Sequence, residues 1–195
     1  MIACLGWGSL IWDPRELRLR DPDCAWHRDG PEIPLEFGRQ SRDGRITLVV
    51  TDSGRRLPTL WAYLDCTSIE AARGNLTERE WPNGDPAAVV DVWTKNGGDD
   101  APHESCVRDW GLKKGFDGVV WTKLPPKFDG VDGRMPSCSE VVNYLRSLSG
   151  SQARLAEDYV RRTPLQVATP YRRTIESSLG WTYEDSLTDN RIVDA

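Results

Sequence analysis

Through the first two thirds of the chain, apolar residues gather in short β-branched or aromatic runs bounded by Gly, Pro, Asp and Asn, the pattern of strands separated by turns. Residues 2–5, 35–37, 46–50, 59–64, 88–94, 105–110 and 118–124 are each expected to form a strand. The runs ending at Thr94 and starting at Ser105 flank Asn96-Gly97-Gly98-Asp99, residue types that accept the positive φ of a turn, so these two are expected to pair as an antiparallel hairpin. Helical spacing appears elsewhere. Thr67 with Glu70 reads as a capping box, followed by Ile69, Ala72, Leu76 and Glu80 up to Pro82. Ser137 with Glu140 repeats the box before Val141, Tyr144, Leu145 and Leu148, with a stop at Gly150. A third helix starts near Ser151, turns Leu155 and Tyr159 inward and breaks at Pro164; a fourth follows Pro170 through Tyr171, Ile175 and Leu179 to Gly180. The polar, acidic residues from about Tyr183 read as a frayed terminus, with an ordered lid as the alternative.

Seven short strands with one helix among them and more after them predict an α+β protein, its mixed sheet curved or closed into a small barrel, and argue against a doubly wound parallel sheet. The expected organisation is one domain over residues 1–150 with a helical extension, 151–195, packed on it. A chain of 195 residues with 38% hydrophobic and 28% charged residues has the composition of a globular protein. No apolar run reaches the roughly 18 residues of a membrane span, and no basic region precedes the first strand, so no membrane partner and a cytoplasmic setting are expected. The net charge of −5 and the scattered Arg pairs argue against nucleic acid.

Two histidines, His27 and His103, stand alone, and the five cysteines include no CxxC pair, so neither a metal site nor a disulfide framework is expected. Nine tryptophans spread from Trp7 to Trp181 read mainly as core filling. The first candidate for chemistry is Gly6-Trp7-Gly8-Ser9-Leu10, directly after the first apolar strand. Glycines there let backbone N–H groups converge on one point, as an anion nest requires, although a plain strand-to-turn connection uses the same residues.

The stretch Gly6-Trp7-Gly8-Ser9-Leu10-Ile11-Trp12-Asp13-Pro14 resembles the amino-terminal signature of the γ-glutamyl cyclotransferase-like superfamily, closest to its glutathione-degrading branch, with Trp7 where that family has tyrosine. Three further pieces are similar and follow in family order: Leu60-Trp61-Ala62-Tyr63, then Leu76-Thr77-Glu78-Arg79-Glu80, then Pro136-Ser137 with Tyr144-Leu145. Together they run from about Cys4 to Leu148. The resemblance implies a barrel-like mixed sheet with packed helices, and a cofactor-free enzyme that cyclises a γ-glutamyl group to 5-oxoproline and releases the attached amine. It also implies that Gly8, Ser9 and Leu10 hold a small γ-glutamyl substrate, that Gly6 and Trp7 border it, and that Glu80 is the general acid/base.

Helix phase supports the same glutamate. Glu80 lies eleven positions from Ile69 and four from Leu76, on their inward stripe, whereas Glu78, nine from Ile69, points outward. A carboxylate facing an apolar wall gains proton affinity, which suits a base that must become an acid within one turnover. The competing structural role for Glu80 is an ion pair with Arg73 or another arginine. Arg39 and Ser41, on the rim of the strands around residues 35–50, are candidates for a substrate carboxylate, and Tyr144 is a further candidate on its helical stripe. The absence of a Ser-His or Cys-His constellation argues against a triad hydrolase. A second reading is a catalytically inactive relative that binds a small ligand or a protein.

Overall fold

The computed structural model describes residues 1–21, 26–97, 104–184 and 192–193. Cys24, His103 and the Gly98-Asp99 part of the expected turn lie outside the described residues. The chain divides into two compact units. The first comprises Met1–Ile33, Pro58–Leu124 and Asn190–Ala195, and the second Pro34–Leu57 with Pro125–Asp189.

The first unit is built on a six-stranded mixed sheet. Its strands are β1 (Ile2–Gly6), β2 (Trp26–His27), β6 (Leu60–Tyr63), β7 (Val90–Thr94), β8 (Gly118–Thr122) and β11 (Ile192–Val193), in the order β11-β2-β6-β1-β8-β7. Every residue of β1 is buried, as befits a central strand flanked by antiparallel β6 and parallel β8. Helix α1 (Ile69–Glu80) packs on β7 and β8, and α2 (Pro86–Val89) and α3 (Glu104–Lys114) complete the unit.

The second unit carries β3 (Glu32–Gln40, which begins at the end of the first unit), β4 (Ile46–Val50), β9 (Lys127–Phe128) and β10 (Val131–Asp132) in the order β10-β9-β3-β4. The strand β5 (Arg55–Pro58) also pairs with β3. Its helices are α4 (Cys138–Ser147), α5 (Gly150–Arg162) and α6 (Pro170–Leu179). The expected boundary between residues 150 and 151 falls within this unit.

The α+β class stands, as two mixed sheets, neither of them closed into the barrel that was one of the two expected forms. Residues 105–110 are not a strand: they lie within α3. Val107 and Gly111 are buried and Trp110 half-buried, an i, i+3, i+4 face that a short apolar run satisfies as well as an alternating one. The hairpin expected between residues 90–94 and 105–108 is therefore absent, and β7 pairs antiparallel with β8, Val90 opposite Thr122 and Thr94 opposite Gly118. Residues 88 and 89 belong to α2, capped by Asp85 and started by Pro86.

The cap of α1 is Ser68 rather than Thr67, its hydroxyl accepting from Ala71 N–H at 3.2 Å. Ser137 does form the expected reciprocal box with Glu140, but α4 ends at Ser147, and Gly150, at φ 59°, opens α5. In α5 the inward stripe is Ala156, Tyr159 and Val160, leaving Leu155 exposed. The last helix begins at Pro170 and ends against Gly180 in a left-handed cap, as read from the sequence. Of the nine tryptophans, Trp7, Trp26, Trp61, Trp93 and Trp121 are buried, which bears out the core-filling reading for most of them.

Candidate functional site

The segment after β1 folds into a tight turn within the first unit, Ile11 N–H donating to the Gly8 carbonyl (3.0 Å) and Asp13 N–H to the Ser9 carbonyl (2.8 Å). Trp7, Gly8 and Leu10 are buried and Ser9 is half-buried. Positive φ values occur at Gly44, Gly115, Gly130, Gly133, Gly150 and Gly180, and neither Gly6 nor Gly8 shares them, so the turn lacks the left-handed glycine of an anion nest. Gly6 has a different reason to be glycine. A Cβ there would lie 2.5 Å from Cζ3 of the fully buried Trp26, so the indole covers the strand end directly.

Helix α1 delivers the other half of the site. Ala72, Leu76 and Arg79 form its buried stripe, with Asn75 half-buried beside them. Asn75 Nδ2 donates to the Glu16 carbonyl (2.8 Å) and its Oδ1 accepts from Arg18 N–H (2.8 Å), pinning the segment that continues from the turn. Arg79, 5% exposed, reaches further back along it: Nη2 donates to the Asp13 carbonyl (2.6 Å) and to Ser9 Oγ (3.2 Å), while Nη1 donates to Glu80 Oε1 (3.2 Å). The side chain of Asp13 lies 3.9 Å from Nη2 and accepts from Arg15 Nε at 3.1 Å. Ser9, Asp13, Arg79 and Glu80 are thus one connected polar cluster between the β1 turn and the last turn of α1.

Glu80 is half-buried and Glu78 exposed, the difference that helix phase predicts. The inward lean of Glu80 is felt at Cys4 in β1: burial pushes that thiol far above its ordinary range, and the negative charge of Glu80 pushes it further. Its neighbour Arg79 is paired with Glu80 at 3.2 Å. Arg73, the partner considered from the sequence, instead donates from Nε and Nη2 to the Val90 carbonyl at 3.2 and 3.0 Å.

Arg39, Ser41 and Tyr144 belong to the second unit. Each is engaged there. Arg39 Nη1 donates to the Pro125 carbonyl (2.7 Å) and lies 3.5 Å from Asp132. Ser41 closes the turn over Asp43 and Gly44, its hydroxyl donating to Asp43 and to the Arg45 carbonyl, and Tyr144 packs edge-on against Phe128 at 5.8 Å between centroids. Residue-by-residue reading missed Arg79 and Asn75. Their signal was available: they interrupt, with polar side chains, the i, i+3, i+4, i+7 stripe that Ala72 and Leu76 define.

Among the described residues no group of three or more His, Cys, Asp or Glu side chains is placed to hold a metal ion, and no helix is long and apolar enough to cross a membrane. His27 lies in β2, its ring stacked on Trp61 at 4.2 Å, and burial lowers its proton affinity. A cavity of about 270 Å³ in the first unit, lined in part by Cys66, Thr67, Ser68 and Asp117, sits at the opposite end of α1 from Glu80. Comparison with known proteins adds no relative: no family model, no curated protein and no solved structure matches this chain.

Proposed function

We propose that the chain is a cofactor-free γ-glutamyl cyclotransferase, with Glu80 as general acid/base and the Gly8-Ser9-Leu10 turn beside it contributing to the site for the γ-glutamyl group. The supporting observation is the convergence of two separate motifs: Arg79 joins Ser9 and Asp13 of the first to Glu80 of the second. These are the two pieces of sequence whose resemblance to the cyclotransferase-like superfamily implies substrate binding and catalysis, seventy residues apart in the chain.

The chemistry asks little of a protein beyond such a pair. The α-amine of a γ-glutamyl compound and its own γ-carbonyl carbon close a five-membered ring, so proximity is supplied by the substrate. Glu80 removes a proton from the α-ammonium. The freed nitrogen lone pair attacks the γ-carbonyl carbon, Glu80 returns its proton to the departing nitrogen as the C–N bond to it breaks, and the ring nitrogen then sheds its surplus proton through Glu80 to the released amine, giving 5-oxoproline and the amine as its ammonium. No nucleophilic serine or cysteine takes part. Ser9, already a hydrogen-bond partner of Arg79, stands at the side of Glu80 where the substrate is to be held.

A panel of γ-glutamyl amines, amino acids and peptides incubated with the purified protein, with 5-oxoproline read by mass spectrometry, tests this reading. Release from at least one compound is expected. Thermal stabilisation by the panel without release would replace the enzyme with a ligand-binding relative, and neither response would remove both.

A further inference from the structure

An arginine on the buried stripe of a helix is an expensive choice where leucine would pack without desolvating a charge. Arg79 is that arginine, 5% exposed, and its bonds leave Nε buried without a hydrogen-bond partner. Helix packing alone gives no reason to keep it. Its guanidinium fork does. One end reaches Glu80 Oε1 and the other reaches two groups of the β1 turn, the Ser9 hydroxyl and the Asp13 carbonyl. A planar fork with donors on both ends serves these partners at once, which a single ammonium cannot.

We propose that Arg79 is the positioning residue of the site: it fastens the Gly8–Asp13 turn to the end of α1 and holds the Glu80 carboxylate ionised and in one orientation, ready to accept a proton. The catalytic consequence rests on the cyclotransferase reading of Glu80, whereas the tie itself does not. Among the described residues, the charged groups paired with the fork are Glu80 at 3.2 Å and Asp13 at 3.9 Å, the latter shared with Arg15. Cys4 of β1 lies close enough to sense both Arg79 and Glu80, and burial keeps its thiol protonated, so it adds no competing charge. Removing the guanidinium takes away the positive charge 3.2 Å from Glu80 Oε1, which shifts that carboxyl toward its protonated form.

The test uses two substitutions with two readouts. In Arg79→Gln the pH midpoint of the Glu80 side-chain carboxyl signal, followed by carbon-detected NMR, is expected to rise by about one unit or more. Arg79→Lys, which keeps the charge but not the fork, is expected to leave that midpoint near the parent's. In the same Lys variant, amide exchange at Ile11 and Asp13 should speed up on the order of tenfold, because the turn loses its fastening. With a γ-glutamyl substrate, both variants should lose kcat, on the order of 10²-fold, with KM nearly kept. An unchanged Glu80 midpoint in a folded Arg79→Gln protein overturns the proposal. Should that variant not fold, exchange in Arg79→Lys no faster than in the parent does the same. A parent that releases no 5-oxoproline while the Glu80 midpoint moves overturns the reaction and upholds the tie.

Discussion

Asn75 and Arg79 occupy positions where an amphipathic helix ordinarily carries alanine or leucine, and both turn their polar ends to the backbone that follows β1. Most buried or half-buried polar groups have their bonds made. Asn75 makes one as donor, to Glu16, and one as acceptor, from Arg18, fixing both edges of its amide and with them the path of the chain into the candidate site. Asn75→Ala removes the pair. With each bond contributing about 0.5–1.5 kcal/mol net, a loss of about 1–3 kcal/mol is expected from urea unfolding, and an unchanged midpoint would mean that these contacts do not hold the segment.

At the scale of elements, ends matter more than middles. Helix α1 has Arg79 on its buried stripe and Gly74 in its interior, so its capping at Ser68 is a large part of what fixes its start. Ser68→Ala is expected to cost about 1 kcal/mol in chemical denaturation, whereas Thr67→Ala, one position outside the cap, is expected to cost nearly nothing. The reverse ranking would restore the cap read from sequence.

In the second unit the start of α6 is tied to β3 by Glu36, a buried carboxylate that accepts from Tyr171 N–H at 3.3 Å and from its neighbour Phe37 N–H at 2.9 Å. Burial raises its proton affinity, and hydrogen bonds from the Thr169 side chain and these two N–H groups offset that only in part. The folded chain therefore holds this proton to a higher pH than the unfolded chain, whose midpoint is the ordinary 4.5. Between the two midpoints the folded state binds more protons, so stability falls as pH rises through that window and is level above it. Glu36→Gln lacks the ionisation. The Tm difference between variant and parent is expected to shift in the variant's favour as pH rises past 4.5. A difference that stays constant from acid to neutral pH would show that Glu36 keeps its ordinary affinity.

Over the whole molecule, what was legible in the sequence followed the strength of local pattern. Strand β4 matches the expected residues 46–50, and β1, β8, α4 and α6 emerge where periodicity and caps agree. Residues 105–110 became helix because a run of Val and Trp serves either period, and the partner strand of β7 was supplied by residues 118–122, further along the chain. The two-residue strands β2, β9, β10 and β11 carry no readable alternation at all, which is why the split into two sheets could not be foreseen. The candidate site was half legible: helix phase separates Glu80 from Glu78, but the arginine between them was read only as part of a motif.

The donor set of the described residues, with no three metal ligands together and Cys4, Cys66 and Cys138 as free thiols, carries a molecule-wide expectation. 5-Oxoproline release should be indifferent to chelators and to thiol reductants. A transition metal lost together with activity on chelation would contradict it.

Everything in the functional account passes through the Glu80 carboxylate, so the most direct measurement compares 5-oxoproline release by the parent, Glu80→Gln and Glu78→Gln on the best substrate of the γ-glutamyl panel. Glutamine preserves shape and hydrogen bonding and cannot shuttle a proton. Glu80→Gln is expected to lose on the order of 10² to 10⁴ in kcat, with fold and KM nearly kept, and the outward-facing Glu78→Gln to change little. A Glu80→Gln protein that turns over as fast as the parent, or a Glu78→Gln protein that alone stops release, would contradict the role given to Glu80.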